Sequence, residues 1–259
     1  MTLERRHLGG DLYALVSASL ERAGFLAAFT ERTGGLSPAP FDSLNCSLVT
    51  DDDPSNGREN RARVIAALGM PPFASGYQVH GTTIARVGWE QTGAGFGEPD
   101  TRLPATDGLI TTSAGLPLAV LTADCLPVVL AAPAEGKVAV VHAGWRGLAG
   151  GILRRAMQAF GDAADVRGVI GPAVGPDHYP VGEDVAVAVG SGCDSGAVTV
   201  RRDASLHLDL AATARGELER LGVRGVEVAE ECTACEPKRF FSHRLEGTTG
   251  RQLGLAMRL

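Results

Sequence analysis

Residues 117–147 read PLAVLTADCLPVVLAAPAEGKVAVVHAGWRG. Residues 117–122 and 128–132 are short runs apolar enough to be strands buried on both faces. Residues 137–142 form a third strand, continuously apolar from Val138 to Val141. The turn between the first two strands carries Thr122-Ala123-Asp124-Cys125. The last strand runs out into His142-Ala143-Gly144-Trp145-Arg146-Gly147. A helix over 147–160 follows, with Leu148, Ile152, Met157 and Phe160 as its apolar positions.

Working outward, strands are expected at 25–30, 76–79, 84–89, 107–111, 166–170 and 225–228. Helices are expected at 56–68 and 210–221, and 181–189 fits either type. Strands and helices mix without strict βαβ alternation. That order predicts an α/β fold of the α+β type, mixed β-sheets covered by helices, and not a doubly wound Rossmann sheet. The chain has 259 residues and neither an internal repeat nor a long linker. The Gly-rich loop at 93–100 is a surface excursion, so residues 1–259 read as a single domain.

Composition narrows the function classes. Hydrophobic residues make up 44% and charged residues 21%, with a net charge of −6. No basic block is present, which disfavours nucleic acid as a partner. No run approaches the roughly 18 apolar residues of a membrane span, and the first residues lack the apolar core of a secretion signal. Five cysteines, an odd number, argue against a disulfide framework and fit a reducing cytoplasm.

His80 in Gln78-Val79-His80-Gly81, Cys125 and His142 each sit where an apolar segment breaks into a turn. Together they offer an N/S/N donor set, which suits Zn²⁺ with a fourth position left open. Neither sequence interval is a zinc-finger spacing, so tertiary structure must assemble such a site. Local sequence leaves Cys125 open as a buried thiol, a nucleophile with His142 as base, or a thiolate ligand. Arg146, beside a helix start and free loop amides, suits a phosphate or carboxylate.

Other features carry blander readings. Arg32 lies in a polar Gly-containing loop and reads as a solvated side chain that could bind an anion. Asp51-Asp52-Asp53 precedes a helix and fits helix-start electrostatics. Cys232-Thr233-Ala234-Cys235 is a CxxC without a thioredoxin-like context and without a second ligand pair, since Cys46 and Cys193 are isolated. It is expected to be neither a redox pair nor a zinc site. His7, His178 and His207 read as surface or core histidines. The segment from Phe240 to Leu253 brings two aromatics to pack and Arg244 and Arg251, which could reach a site.

Taken in order, Phe29–Gly35 with Leu44-Asn45, Gln78–Gly81, Asp107-Gly108-Leu109, Thr122–Pro127, His142–Gly147, Ile170–Pro172, Tyr179–Val185 and Phe240–Arg251 resemble the bacterial laccase-domain, or polyphenol-oxidase-like, family. That family is also called purine nucleoside phosphorylase and peptidoglycan editing factor. The resemblance implies mixed sheets sandwiched by helices, similar to the catalytic domain of cytotoxic necrotizing factor toxins. It implies one Zn²⁺ on His80, Cys125 and His142. The implied reactions are phosphorolysis of adenosine, inosine and methylthioadenosine, and deamination of adenosine; copper-dependent phenol oxidation has also been attributed to the family. Asp124, Cys125 and Arg32 are then catalytic candidates, and Arg146, Asn45 and Gln78 are substrate-binding candidates. The expected partners are a nucleoside and phosphate, and the chain is expected to be a monomer. His243 departs from the pattern, which leads one to expect an aromatic there, and the CxxC is no signature of the family. The rival readings are a Cys–His hydrolase acting on peptidoglycan precursors, a copper oxidase, and a non-catalytic role with a vestigial pocket.

Overall fold

The structure, a computed structural model, describes residues 3–202 and 204–259. Two six-stranded mixed sheets form its centre. The first runs in the order β1 (Glu4–Gly9), β2 (Leu12–Val16), β3 (Phe25–Thr30), β15 (Gln252–Arg258), β7 (Leu118–Thr122), β4 (Ala74–Ser75). The second runs β14 (Arg224–Val228), β10 (Arg167–Ile170), β8 (Leu126–Ala132), β9 (Lys137–Ala143), β6 (Gly108–Thr111), β5 (Ile84–Arg86). A small third sheet holds β11 (Pro180–Val181), β13 (Ser205–Leu208) and β12 (Thr199–Arg202).

The central strands are apolar along most of their length because they bury both faces. Phe25, Ala27 and Phe29 of β3, Val129 and Ala131 of β8, and Val138 and Val140 of β9 point between the two sheets. The alternate residues point outward. Val128, Leu130, Ala139 and Val141 meet α3 (Trp145–Ala149), α4 (Ile152–Phe160), α5 (Glu183–Gly192) and α6 (Leu210–Arg220). On the other side Leu26, Ala28, Leu253 and Leu255 meet α2 (Pro54–Leu68) through Val64, Ile65 and Leu68. Two sheets are thus sandwiched by helices, as the order of elements predicts. Asp53 caps α2 by accepting from the Ser55 amide at 2.8 Å, so that acidic residue serves the helix start.

Several elements differ from expectation. The helix expected over 147–160 is two helices, because Gly151 takes a left-handed conformation (φ +78°) between α3 and α4. Residues 76–79 are not the expected strand, which stops at Ser75: Gly76 makes only an isolated bridge to Leu103, the Tyr77 amide donates to Leu103 O at 2.8 Å, and the amides of Val79, His80 and Gly81 bond to a side chain. The undecided segment at 181–189 is mostly helix α5. The C-terminal strand β15, absent from the expected elements, pairs antiparallel with both β3 and β7 at the middle of the first sheet. At Gly254 a Cβ would stand 2.6 Å from the Pro127 side chain, so glycine lets the two sheets approach there. All five cysteines are free thiols, and no helix among the described residues is long and apolar enough to cross a membrane.

Phe29 is fully buried between the sheets against Gly171 and Gly254. Phe29→Ala is expected to cost about 3–5 kcal/mol, read as a lowered denaturant midpoint.

Candidate active site

Two of the chain's crossings between the two sheets lie side by side. The turn 123–125 joins β7 of the first sheet to β8 of the second, and the loop 76–83 joins β4 to β5. Cys125 lies in the first crossing and His80 in the second. His142 is the penultimate residue of β9, opposite Pro127 of β8. The donor atoms of these three side chains all lie within 4.8 Å of one another, and the two imidazole rings stand 4.8 Å apart, edge to face.

Asp107 organises the cluster. Its fully buried carboxylate accepts from the amides of Val79 (3.0 Å), His80 (2.9 Å) and Gly81 (2.8 Å), and from His142 Nδ1 (2.8 Å). Burial alone would raise the Asp107 carboxyl, but the bonds from His142, Val79 and Gly81 outweigh it and hold the group below its ordinary range. With Nδ1 taken, His142 turns Nε2 toward Cys125. A carboxylate behind a ligating imidazole is a recurrent way to orient it.

Cys125 and His142 shift in opposite directions. Burial raises the thiol, but His142 and then His80 pull it down to about 6. Burial lowers the imidazole, but Cys125 and Asp107 raise it. The pair is therefore a thiolate beside a protonated imidazole unless a cation replaces the proton. A thiolate and an imidazole oriented by a carboxylate fit a borderline-soft divalent cation with an open position. Gly144 makes room for the cluster, since a Cβ there would stand 2.8 Å from Cys125 Sγ and 3.1 Å from the His80 ring.

Asp124 takes φ +88° and is nearly buried. Its carboxylate accepts from Thr233 Oγ1 (2.7 Å), Ser242 Oγ (2.7 Å) and the Arg244 amide (2.6 Å). The Cys125 turn is thereby tied to residue 233 and to the start of α7 (His243–Glu246).

The triad opens into a cavity of about 720 Å³. Arg61, Arg102, Arg146, Arg244 and Arg251 line it, and Asp124 is its one acidic residue. Among the described residues none of the five guanidinium groups forms an ion pair with a carboxylate. Three of them stack on aromatic rings of the same wall: Arg102 on Tyr77, Arg146 on Trp145 and Arg244 on Tyr179, at 4.3–4.9 Å. Arg61 is almost fully buried and donates to the carbonyls of Cys46 and Phe96; burial lowers it to about 10, so it stays charged at neutral pH. Thr122 Oγ1, also on the wall, is a buried side-chain atom with no hydrogen-bond partner among the described residues.

Gln78 and Arg146 line this cavity, as do Asp124 and the triad. Gln78 is anchored by bonds to the Leu121 backbone in both directions, each 2.8 Å. Arg32 and Asn45 stand behind it. Arg32 is not a solvated loop residue: it is 6% exposed, bonded to Asp42 O, Pro237 O and Glu246, and stacked on Phe241. Asn45 accepts from the Arg251 amide at 3.0 Å and so supports a residue that does reach the cavity. Sequence reasoning passed over Asp107, Arg61 and Arg102. Arg61 looks like one of several charges on a surface helix, and only packing shows that it points inward.

A family model described as multi-copper polyphenol oxidoreductase laccase matches residues 26–259. The chain belongs to this family. Among curated relatives, a purine nucleoside phosphorylase of Xylella fastidiosa is 42% identical over 247 residues, covering 90% of this chain and 92% of the relative. The purine nucleoside phosphorylase YlmD of Geobacillus stearothermophilus is 38% identical over 244 residues, covering 89% of each chain. The crystal structure of that YlmD superposes with a TM-score of 0.92 at 34% identity, covering 99% of both chains. The crystal structure of the Bacillus licheniformis hypothetical protein YfiH superposes at 0.90 with 32% identity, covering 98% of this chain and 99% of its own.

Two outcomes are expected at this site. Asp107→Asn should weaken binding of zinc, used as a probe, by about 10- to 100-fold in competition with a chromophoric chelator. In metal-free protein Cys125 should react with iodoacetamide at neutral pH and lose that reactivity as pH falls through about 6, where the thiolate protonates. Cys46, pushed up to about 12 by burial, should stay unlabelled.

Proposed function

We propose that this chain is a zinc-dependent purine nucleoside phosphorylase acting on adenosine, inosine and methylthioadenosine. The observation that carries this reading is the convergence of five guanidinium groups without carboxylate partners on the cavity that also holds the N/S/N triad. A chain of net charge −6 concentrates unpaired positive charge where a phosphate would bind. The names of the relatives support the same reading.

Phosphorolysis breaks the glycosidic C1′–N9 bond and forms a bond from C1′ to a phosphate oxygen. The electron pair of the broken bond leaves with the purine. Arg146, Arg244 and Arg251 would hold the phosphate dianion beside C1′, where its charge also stabilises the developing positive charge on the ribose. Tyr77, Trp145 and Tyr179 offer faces for the purine. His80, Cys125 and His142 would hold the Zn²⁺, which supplies a Lewis acid at this wall. We assign Asp124 a positioning role, because its carboxylate is occupied by three donors. Gln78 shapes the wall through Leu121, while Arg32 and Asn45 act from behind it.

Purified protein given adenosine and phosphate is expected to release adenine and ribose 1-phosphate, and chelation or Cys125→Ala should abolish this. Arg146→Ala should raise the KM for phosphate about 10- to 100-fold, the loss of one charge-assisted hydrogen bond of roughly 1.5–3 kcal/mol. Inosine as the main product would point to deamination. Phosphorolysis that survives chelation would remove zinc from the reading, and no nucleoside turnover by zinc-loaded protein would point to the Cys125–His142 hydrolase of peptidoglycan precursors.

A further inference from the structure

Outside the cavity the chain assembles a second set of soft donors. The ligand atoms of His178, Cys232 and Cys235 all lie within 4.8 Å of one another. The CxxC lacks a second ligand pair in sequence, but folding delivers His178 from the short turn 176–178 that precedes Tyr179. The cluster sits on a well-bonded frame. Cys232 Sγ accepts from the Gly175 amide at 3.1 Å, and Cys232 O accepts from the amides of Cys235 and Glu236, each at 3.1 Å. Gly175 packs closely there, since a Cβ would stand 3.2 Å from both Cys232 Cβ and Sγ. Among the described residues neither ring nitrogen of His178 has a hydrogen-bond partner. Cys232 and His178 are half-buried and Cys235 is exposed, so an ion could reach all three.

The donor chemistry selects the ligand class. Two thiols and an imidazole suit Zn²⁺ and not a hard cation such as Mg²⁺ or Ca²⁺. Tetrahedral zinc with bonds of about 2.0–2.3 Å sets its donors roughly 3.3–3.8 Å apart, so a closure of about 1 Å brings the three side chains onto one ion. The frame also leads to the active site. Thr233, between the cysteines, donates to the Asp124 carboxylate, and its amide donates to Ala173 O at 3.0 Å. The Val174 amide donates to Asp124 O at 3.0 Å, and Tyr179, next to His178, lines the cavity.

We propose that His178, Cys232 and Cys235 form a second Zn²⁺ site, completed by an exchangeable water, that clips the segment 173–179 to the turn 232–235 behind the cavity wall. Binding releases the two thiol protons to solvent and changes no oxidation state. The site stands independently of the nucleoside reading.

Cobalt and zinc serve as probes under reducing conditions. The Cys125→Ala protein, with the first site disabled, is expected to retain one tightly bound cobalt with thiolate-to-cobalt charge-transfer bands. Cys232→Ser with Cys235→Ser in that background should remove the bands, and His178→Ala should weaken binding. His80→Ala provides a second background should Cys125→Ala fold poorly. Folded protein in either background that binds neither metal would overturn the proposal. So would bound metal indifferent to the Cys232, Cys235 and His178 substitutions, or a Cys232–Cys235 disulfide that persists in reductant.

Discussion

The buried carboxylate of Asp107 is the interaction on which the site depends. An ionised carboxyl away from water is costly unless its lone pairs are filled. Here three consecutive amides and one imidazole nitrogen fill them. The same four bonds hold the turn 79–81, with His80 in a left-handed conformation (φ +58°), and choose which nitrogen of His142 faces Cys125. A local turn and the orientation of an imidazole thus have one electrostatic cause.

Asp124 plays the matching part for the other crossing. Its left-handed backbone is a conformation that costs on the order of 1–3 kcal/mol. Bonds to Thr233, Ser242 and the Arg244 amide hold it there. The two carboxylates brace two of the crossings from one sheet to the other, β4 to β5 and β7 to β8, and the triad stands between them. Around this frame the guanidinium groups are held by carbonyls and aromatic rings instead of carboxylates. Their charge is left uncompensated within the protein, which favours an anionic ligand.

Much of the fold is legible in the sequence because its central strands bury both faces. Residues 118–122, 126–132 and 137–143 are strands within a residue or two of the apolar runs that announce them. The strand at the middle of the first sheet is less visible. Gln252-Leu253-Gly254-Leu255-Ala256-Met257-Arg258 pairs glycine and alanine on the face turned to the other sheet, where there is no room for larger side chains. The break at Gly150-Gly151 is visible as a pair of glycines, but the choice between one kinked helix and two depends on the left-handed φ that packing imposes.

By itself the sequence determined the residue types of the triad, the turns that carry them and the mixed-sheet architecture. These are local properties: an apolar run, a turn, a donor atom. Only the tertiary structure decided which charges meet. Arg61, on a helix rich in charge, turns inward to the cavity, while Arg32, in a polar loop, closes on Glu246 behind it. His178 joins Cys232 and Cys235 by a contact that no spacing rule encodes. Donor groups far apart in the chain come together only when the sheets bring their crossings to one edge.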